Sequence, residues 1–184
     1  LSGVLAGMMI SVGGTVYLSV DSKVVGASLF SIGLFFVVSM RLWLYTGKIG
    51  YLFRGGHGYA AKLLLTLVGN FAGAFGTALL LRQTRAAANL VGRAAELSAV
   101  KLQDAPASVF ILAVFCGVLM YIGVNGFGVF ELALGKYAAV FLAVAVFILS
   151  GFEHCVANMF YYSLAGVWGS GQAWLSMAVM VLGN

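Results

Sequence analysis

YAAVFLAVAVFILSGFEHCVANMFYYSL, residues 137–164, is apolar almost throughout, yet it carries Glu153, His154 and Asn158 in its second half. The stretch is longer than the roughly 20 residues that cross a bilayer, and polar groups inside it mark where a helix is interrupted. A second stretch of the same kind runs from Val24 to about Phe53, with a polar cluster at Tyr45-Thr46-Gly47-Lys48. Two overlong, interrupted apolar stretches in corresponding positions are the sequence pointer to an inverted repeat whose site lies at the breaks.

The rest of the chain fits around them. Of 184 residues, 62% are hydrophobic and 8% charged, against about a quarter charged in soluble domains. Most of the chain therefore faces lipid, where backbone groups must pair within helices or closed barrels. Continuous rather than alternating apolar runs select helices. Single spans are expected at Ser2 to Val20, Ala60 to Leu81 and Ala107 to Phe127, with a last one starting near Trp174. With the two interrupted stretches this gives six spans in two halves of three, read as one transmembrane domain over residues 1–184. Gly3 and Gly7 form a small-xxx-small pair suited to close helix approach. Leu67-Val68-Gly69-Asn70 echoes Val181-Leu182-Gly183-Asn184, and since the third span continues past its Gly-Asn pair, the end of the sixth is expected to be missing. Arg82 to Pro106 is the longest hydrophilic connection, with an Ala-rich middle suited to a short surface helix. Pro106 suits a helix first turn.

The excess charge of +5 comes from ten Lys and Arg against five Asp and Glu. No basic run or nucleic-acid motif accompanies it, so nucleic acid is not an expected partner. Bases at membrane edges meet lipid headgroups and raise the local concentration of anions. Cys116 and Cys155 both lie in apolar segments and read as small core residues, not as a disulfide framework. No His-Glu-x-x-His, Gly-x-Ser-x-Gly or phosphate-loop motif is present, so no enzyme, metal site or cofactor is expected.

Polar groups within membrane segments are costly and are candidates for function. Here they are Arg41, Thr46, Lys48, Tyr121, Glu153, His154 and Asn158. His154 changes charge and donor count near neutral pH when unperturbed; it could donate to an anion, or simply bond a backbone carbonyl at a helix break. Thr46 lies at the opposite break and could face the same site. Asn158, one turn beyond His154, suits a scaffold role. Glu153 needs a buried partner, with Lys101 or Lys48 as candidates, and Arg41 either pairs with it, attracts anions or reaches to the membrane surface.

Gly151-Phe-Glu-His-Cys-Val-Ala-Asn-Met-Phe160 closely resembles the fifth-helix signature of the formate/nitrite transporter family. Gly7-Met-Met-Ile-Ser-Val-Gly13, Phe30-Ser-Ile-Gly-Leu34, Tyr45-Thr-Gly47 and Gly69-Asn-Phe-Ala-Gly73 resemble that family's first three helices. The resemblance implies an all-α, aquaporin-like six-helix bundle with broken second and fifth helices, one pore per subunit of a homopentamer in the cell inner (plasma) membrane. It implies passage of small monovalent anions such as formate, nitrite or hydrosulfide, sometimes with a proton. By position, His154 matches the central pore histidine and Thr46 the threonine of the second-helix loop. Leu44 and Tyr45 match that threonine's neighbours, and Phe30, Leu34, Val124 and Phe147 match the apolar constrictions. Asn158 and Lys48 join the pore set, and Glu153 with Lys101 is expected as a structural ion pair. The family also places the long connection after the third span outside the cytoplasm, a placement preferred here over the slim excess of loop bases, which points the other way. Arg41, Trp43, Lys48 and Met120-Tyr121 depart from the family pattern, and the added bases suggest an anion-selective variant of the hydrosulfide type. A pore for the neutral protonated acid is the alternative.

Overall fold

The protein is described by a computed structural model over residues 1–184. Nine helices follow one another: α1 (Ser2–Ser19), α2 (Lys23–Ser39), α3 (Tyr45–Lys48), α4 (Tyr59–Leu81), α5 (Ala87–Gln103), α6 (Pro106–Val129), α7 (Ala133–Leu149), α8 (Cys155–Ala165) and α9 (Gly171–Gly183). Three of them, α1, α4 and α6, are each long and apolar enough to cross a membrane unaided. The remaining apolar segments are shorter, and the two interrupted stretches are built from α2 with α3 and from α7 with α8.

Both interruptions close by the same backbone device. After α2, Leu42 N–H donates to Val37 O (2.8 Å) and Arg41 N–H to Val38 O (3.2 Å). After α7, Phe152 N–H donates to Phe147 O (2.9 Å) and Gly151 N–H to Ile148 O (3.2 Å). These paired bonds, with Arg41 at φ 55° and Gly151 at φ 73°, are the Schellman closure of a helix end. The chain then runs extended for three residues and resumes helix at Tyr45 and Cys155. The breaks therefore span residues 40–44 and 150–154: the second contains Glu153 and His154 as expected, while the first lies just ahead of its polar cluster. Tyr45-Thr46-Gly47-Lys48 is not the interruption but helix α3, and Asn158 sits inside α8. At the first break polarity marks the resumed helix; at both, the left-handed residue ends the preceding one.

The hydrophilic connection also differs from expectation. Its helix is long, and Leu90, Ala94 and Ser98 are buried where α5 packs on α8. Arg93 fastens it further, donating to Leu18 O at 3.0 Å and Val20 O at 2.9 Å and pairing with Asp21. It is thus a packed lid over one end of the bundle, because its leucine and alanine stripe has an apolar partner.

α1 packs on α2 and α4 much as α6 packs on α7 and α9. Glycine permits the closest of these approaches. A Cβ on Gly7 would lie 2.1 Å from Asn70 O, and one on Gly73 would lie 2.0 Å from Val4 O. Outward faces stay apolar: Leu64, Leu65 and Val68 on α4, and Phe110, Ile111, Phe115, Val118 and Ile122 on α6 are exposed. Such a surface suits lipid and not water. This is a multi-pass helical membrane fold.

Candidate permeation site

Two short helices, α3 and α8, begin in the middle of the bundle, so their first backbone N–H groups have no partner within the helix. Two asparagines supply what is missing. Asn70 of α4 accepts from Tyr45 N–H (2.8 Å) and donates to Gly3 O (2.8 Å) and Trp43 O (2.9 Å). Asn184 accepts from Cys155 N–H (2.7 Å) and donates to Ala113 O and Glu153 O, both at 2.7 Å. Each ties the start of a resumed helix, the extended residue two before it, and a neighbouring helix. The Gly-Asn echo in the sequence is the trace of this paired role, which composition and spacing alone did not assign.

His154 caps α8. Its Nδ1 accepts from Ala157 N–H at 3.1 Å, which leaves the ring proton of the neutral imidazole on Nε2. Nε2 lies 3.0 Å from Thr46 Oγ1. With Nδ1 occupied as an acceptor, Nε2–H donates to the threonine oxygen, and the threonine hydroxyl proton is free to point elsewhere. His154 and Thr46 are both buried. Thr46 belongs to the first turn of α3 and His154 to the residue before α8, so the two breaks meet at this one contact.

Beside it, Lys101 of α5 approaches Glu153, with Nζ 2.5 Å from Oε2. Asn158 Nδ2 donates to the same Oε2 at 2.7 Å and to His154 O at 3.1 Å. The carboxylate is thereby held by a charge and an amide, as a buried carboxylate requires. Lys48 and Arg41 lie elsewhere. Asn158 Oδ1 has no hydrogen-bond partner in the protein.

Of the aromatic and aliphatic candidates, Leu44 and Val124 line one hollow and Phe147 another, while Phe30, Leu34 and Tyr45 line neither. A cavity of about 110 Å³ is lined by His154, Phe147, Asn158, Lys101 and Lys23, among others. Phe147 stacks on the imidazole with centroids 5.5 Å apart and meets Phe30 edge-on at 5.8 Å. A larger hollow of about 410 Å³ is lined by Leu44, Gly47, Lys48 and Val124, with Arg41 and Lys136 at its sides. Leu44 and Leu34 are fully buried. Tyr45 lines neither hollow, since its hydroxyl turns away to donate to Val181 O at 3.1 Å. Tyr121 packs against Tyr51 at 5.6 Å. His154 thus lines the smaller hollow with Phe147, Leu44 and Val124 line the larger one, and Thr46 and Phe30 are buried and line neither.

A buried hydroxyl–imidazole pair beside a cavity of a helical membrane fold fits a membrane transport protein. A family model described as formate/nitrite transporter matches residues 1–184, and the chain belongs to that family, one of transporters and not of enzymes. Two solved structures share the fold. One, described as a pentameric formate channel with formate bound, aligns with a TM-score of 0.78 at 25% identity, over 97% of this chain and 79% of that one. Another, an FNT family ion channel, aligns with a TM-score of 0.81 at 23% identity, over 98% and 80% of the two chains. No curated protein matched in sequence.

Proposed function

We propose that residues 1–184 form one channel domain that passes small monovalent anions of the formate, nitrite or hydrosulfide type, as a channel or with a proton. In this reading the domain is an inverted three-helix repeat, one pore per subunit of a homopentamer in the cell inner membrane. The observation that supports it is the Thr46–His154 contact, which joins polar groups of the two breaks beside the smaller hollow. An anion entering the apolar neck sheds water, and a hydroxyl or imidazole N–H there replaces part of what it loses. Leu34, Leu44, Phe30, Phe147 and Val124 exclude larger hydrated ions by offering nothing in exchange. The formate bound in the similar pentameric channel supports this substrate class. Lys48, lining the hollow below Leu44, favours anions over cations and is compatible with hydrosulfide.

The neutral acid is a second reading, favoured by two observations. No charged side chain hydrogen-bonds to the Thr46 or His154 side chain, and Asn158 Oδ1 is an unpaired acceptor on a residue lining the small cavity. Flux through proteoliposomes across pH separates the two. Passage of the neutral acid falls in proportion to its protonated fraction as pH rises and carries no current. Passage of the anion persists and is electrogenic. A panel of formate, nitrite, lactate and hydrosulfide run with His154→Phe protein tests the site itself; unchanged anion selectivity in that variant would remove His154 from the mechanism. Ready formate flux without hydrosulfide flux would exclude the hydrosulfide assignment.

A further inference from the structure

The two mouths of the bundle differ in charge. Around the His154 side, the bases Lys23, Arg93 and Lys101 are matched by the acids Asp21, Glu96 and Glu153. Arg93 is paired with Asp21 and Lys101 with Glu153. The 410 Å³ hollow on the other side is lined by Arg41, Lys48 and Lys136 and by no carboxylate. None of these three bases belongs to either ion pair of the chain. Lys48 and Lys136 are half-buried and Arg41 is exposed at the rim, and the Lys48 ammonium lies over the face of Trp43, 5.7 Å from its centroid. Half-buried bases without counter-charges are costly, and an anion at their centre relieves that cost.

Arg41 adds an independent sign. It has φ 55°, while the matching position of the other break is occupied by Gly151 at φ 73°. A non-glycine residue in this region costs roughly 1 kcal/mol or more. The strain places an arginine on the wall of the hollow where a glycine would close the helix more easily.

Resting on the reading of the domain as an anion pore, we propose that this mouth is a binding site for a divalent oxyanion of the phosphate type. Arg41, Lys48 and Lys136 hold it in front of the Leu44–Val124 neck, and it blocks permeation from this face alone. Charge decides why it stays. The cost of desolvating an ion rises with the square of its charge, so a neck that admits a partly dehydrated monovalent anion stops a divalent one. Gly47 and Val124 also pack tightly there: a Cβ on Gly47 would lie 2.7 Å from Val124 Cγ2. On the opposite face the balanced charges offer no equivalent trap.

Two measurements test this. In planar bilayers holding channels of one orientation, inorganic phosphate is added to either chamber while formate current is recorded. Phosphate should reduce the current from one chamber only. Equilibrium binding of radiolabelled inorganic phosphate to the purified protein in neutral-lipid nanodiscs gives a readout independent of transport. Arg41→Gly, which suits the backbone, and Lys136→Gln should each weaken that binding roughly tenfold and relieve the block, each variant being referred to its own phosphate-free current. Equal block from both chambers, no block from either, or binding unchanged in both variants would overturn the proposal. Displacement of phosphate by added phosphatidylglycerol would overturn it as well, by assigning the bases to a lipid headgroup. If no formate current is seen even without phosphate, the channel reading fails while the binding measurement still decides the site.

Discussion

His154 has two jobs on one ring, and they can be separated. Nδ1 terminates the first turn of α8 and Nε2 faces Thr46. Asparagine is a good N-cap acceptor but its shorter side chain does not reach the threonine. His154→Asn is therefore expected to keep the thermal stability of the protein within about 1 kcal/mol and to lose anion selectivity in liposome flux. His154→Phe should lose both. Thr46→Val removes the acceptor opposite Nε2–H with little change of volume, and its flux should fall while Thr46→Ser retains most of it. The ion pair beside them gives a non-additive outcome. Lys101→Met leaves the Glu153 carboxylate buried and unpaired, costing on the order of 3–5 kcal/mol. The double variant Lys101→Met with Glu153→Gln should recover a large part of that loss in a thermal unfolding series.

At the scale of elements, the fold depends on helices that start inside the bundle. Asn70 and Asn184 each satisfy one N–H and two carbonyls. Asn70→Leu strands three buried backbone groups, each costing about 1–3 kcal/mol. The expected outcome is loss of folded protein on size-exclusion chromatography, not a subtle change of transport. The α1–α4 contact is equally exposed to a single methyl group: Gly73→Ala must displace Val4 O from the 2.0 Å position, and a lowered melting temperature, from overpacking of about 1–3 kcal/mol, would register it. The position of the first break is hidden in the sequence for a related reason. Leu42 and Leu44 are as apolar as any helix residue, so polarity drew attention to Tyr45–Lys48. What ends α2 is the hydrogen-bond closure around Arg41, a backbone property that side-chain type reveals at Gly151 and conceals at Arg41.

For the whole molecule, apolar exposed faces on α4 and α6 require lipid or neighbouring subunits. A homopentamer is the assembly expected of the purified protein, checked by native mass spectrometry from detergent; a monomer that transports would show that one subunit holds a complete pore. Much of this was legible in the sequence. Long apolar runs have no stable form in lipid other than helices, so the membrane class and the paired interruptions follow from residue order, as does the choice of His154 and Thr46 as candidates. The contacts between halves do not. Thr46 and His154 are 108 positions apart, and residue order left Glu153 with either Lys101 or Lys48 as its partner, a choice that packing makes for Lys101. Nothing local links Arg41, Lys48 and Lys136 either, which come to one hollow only when α2, α3 and α7 pack. Local sequence decides helix and break because those depend on neighbours within a turn or two. Which polar groups share a site, and which mouth is left with unmatched charge, is decided by tertiary packing, which alone sets distances between residues far apart in the chain.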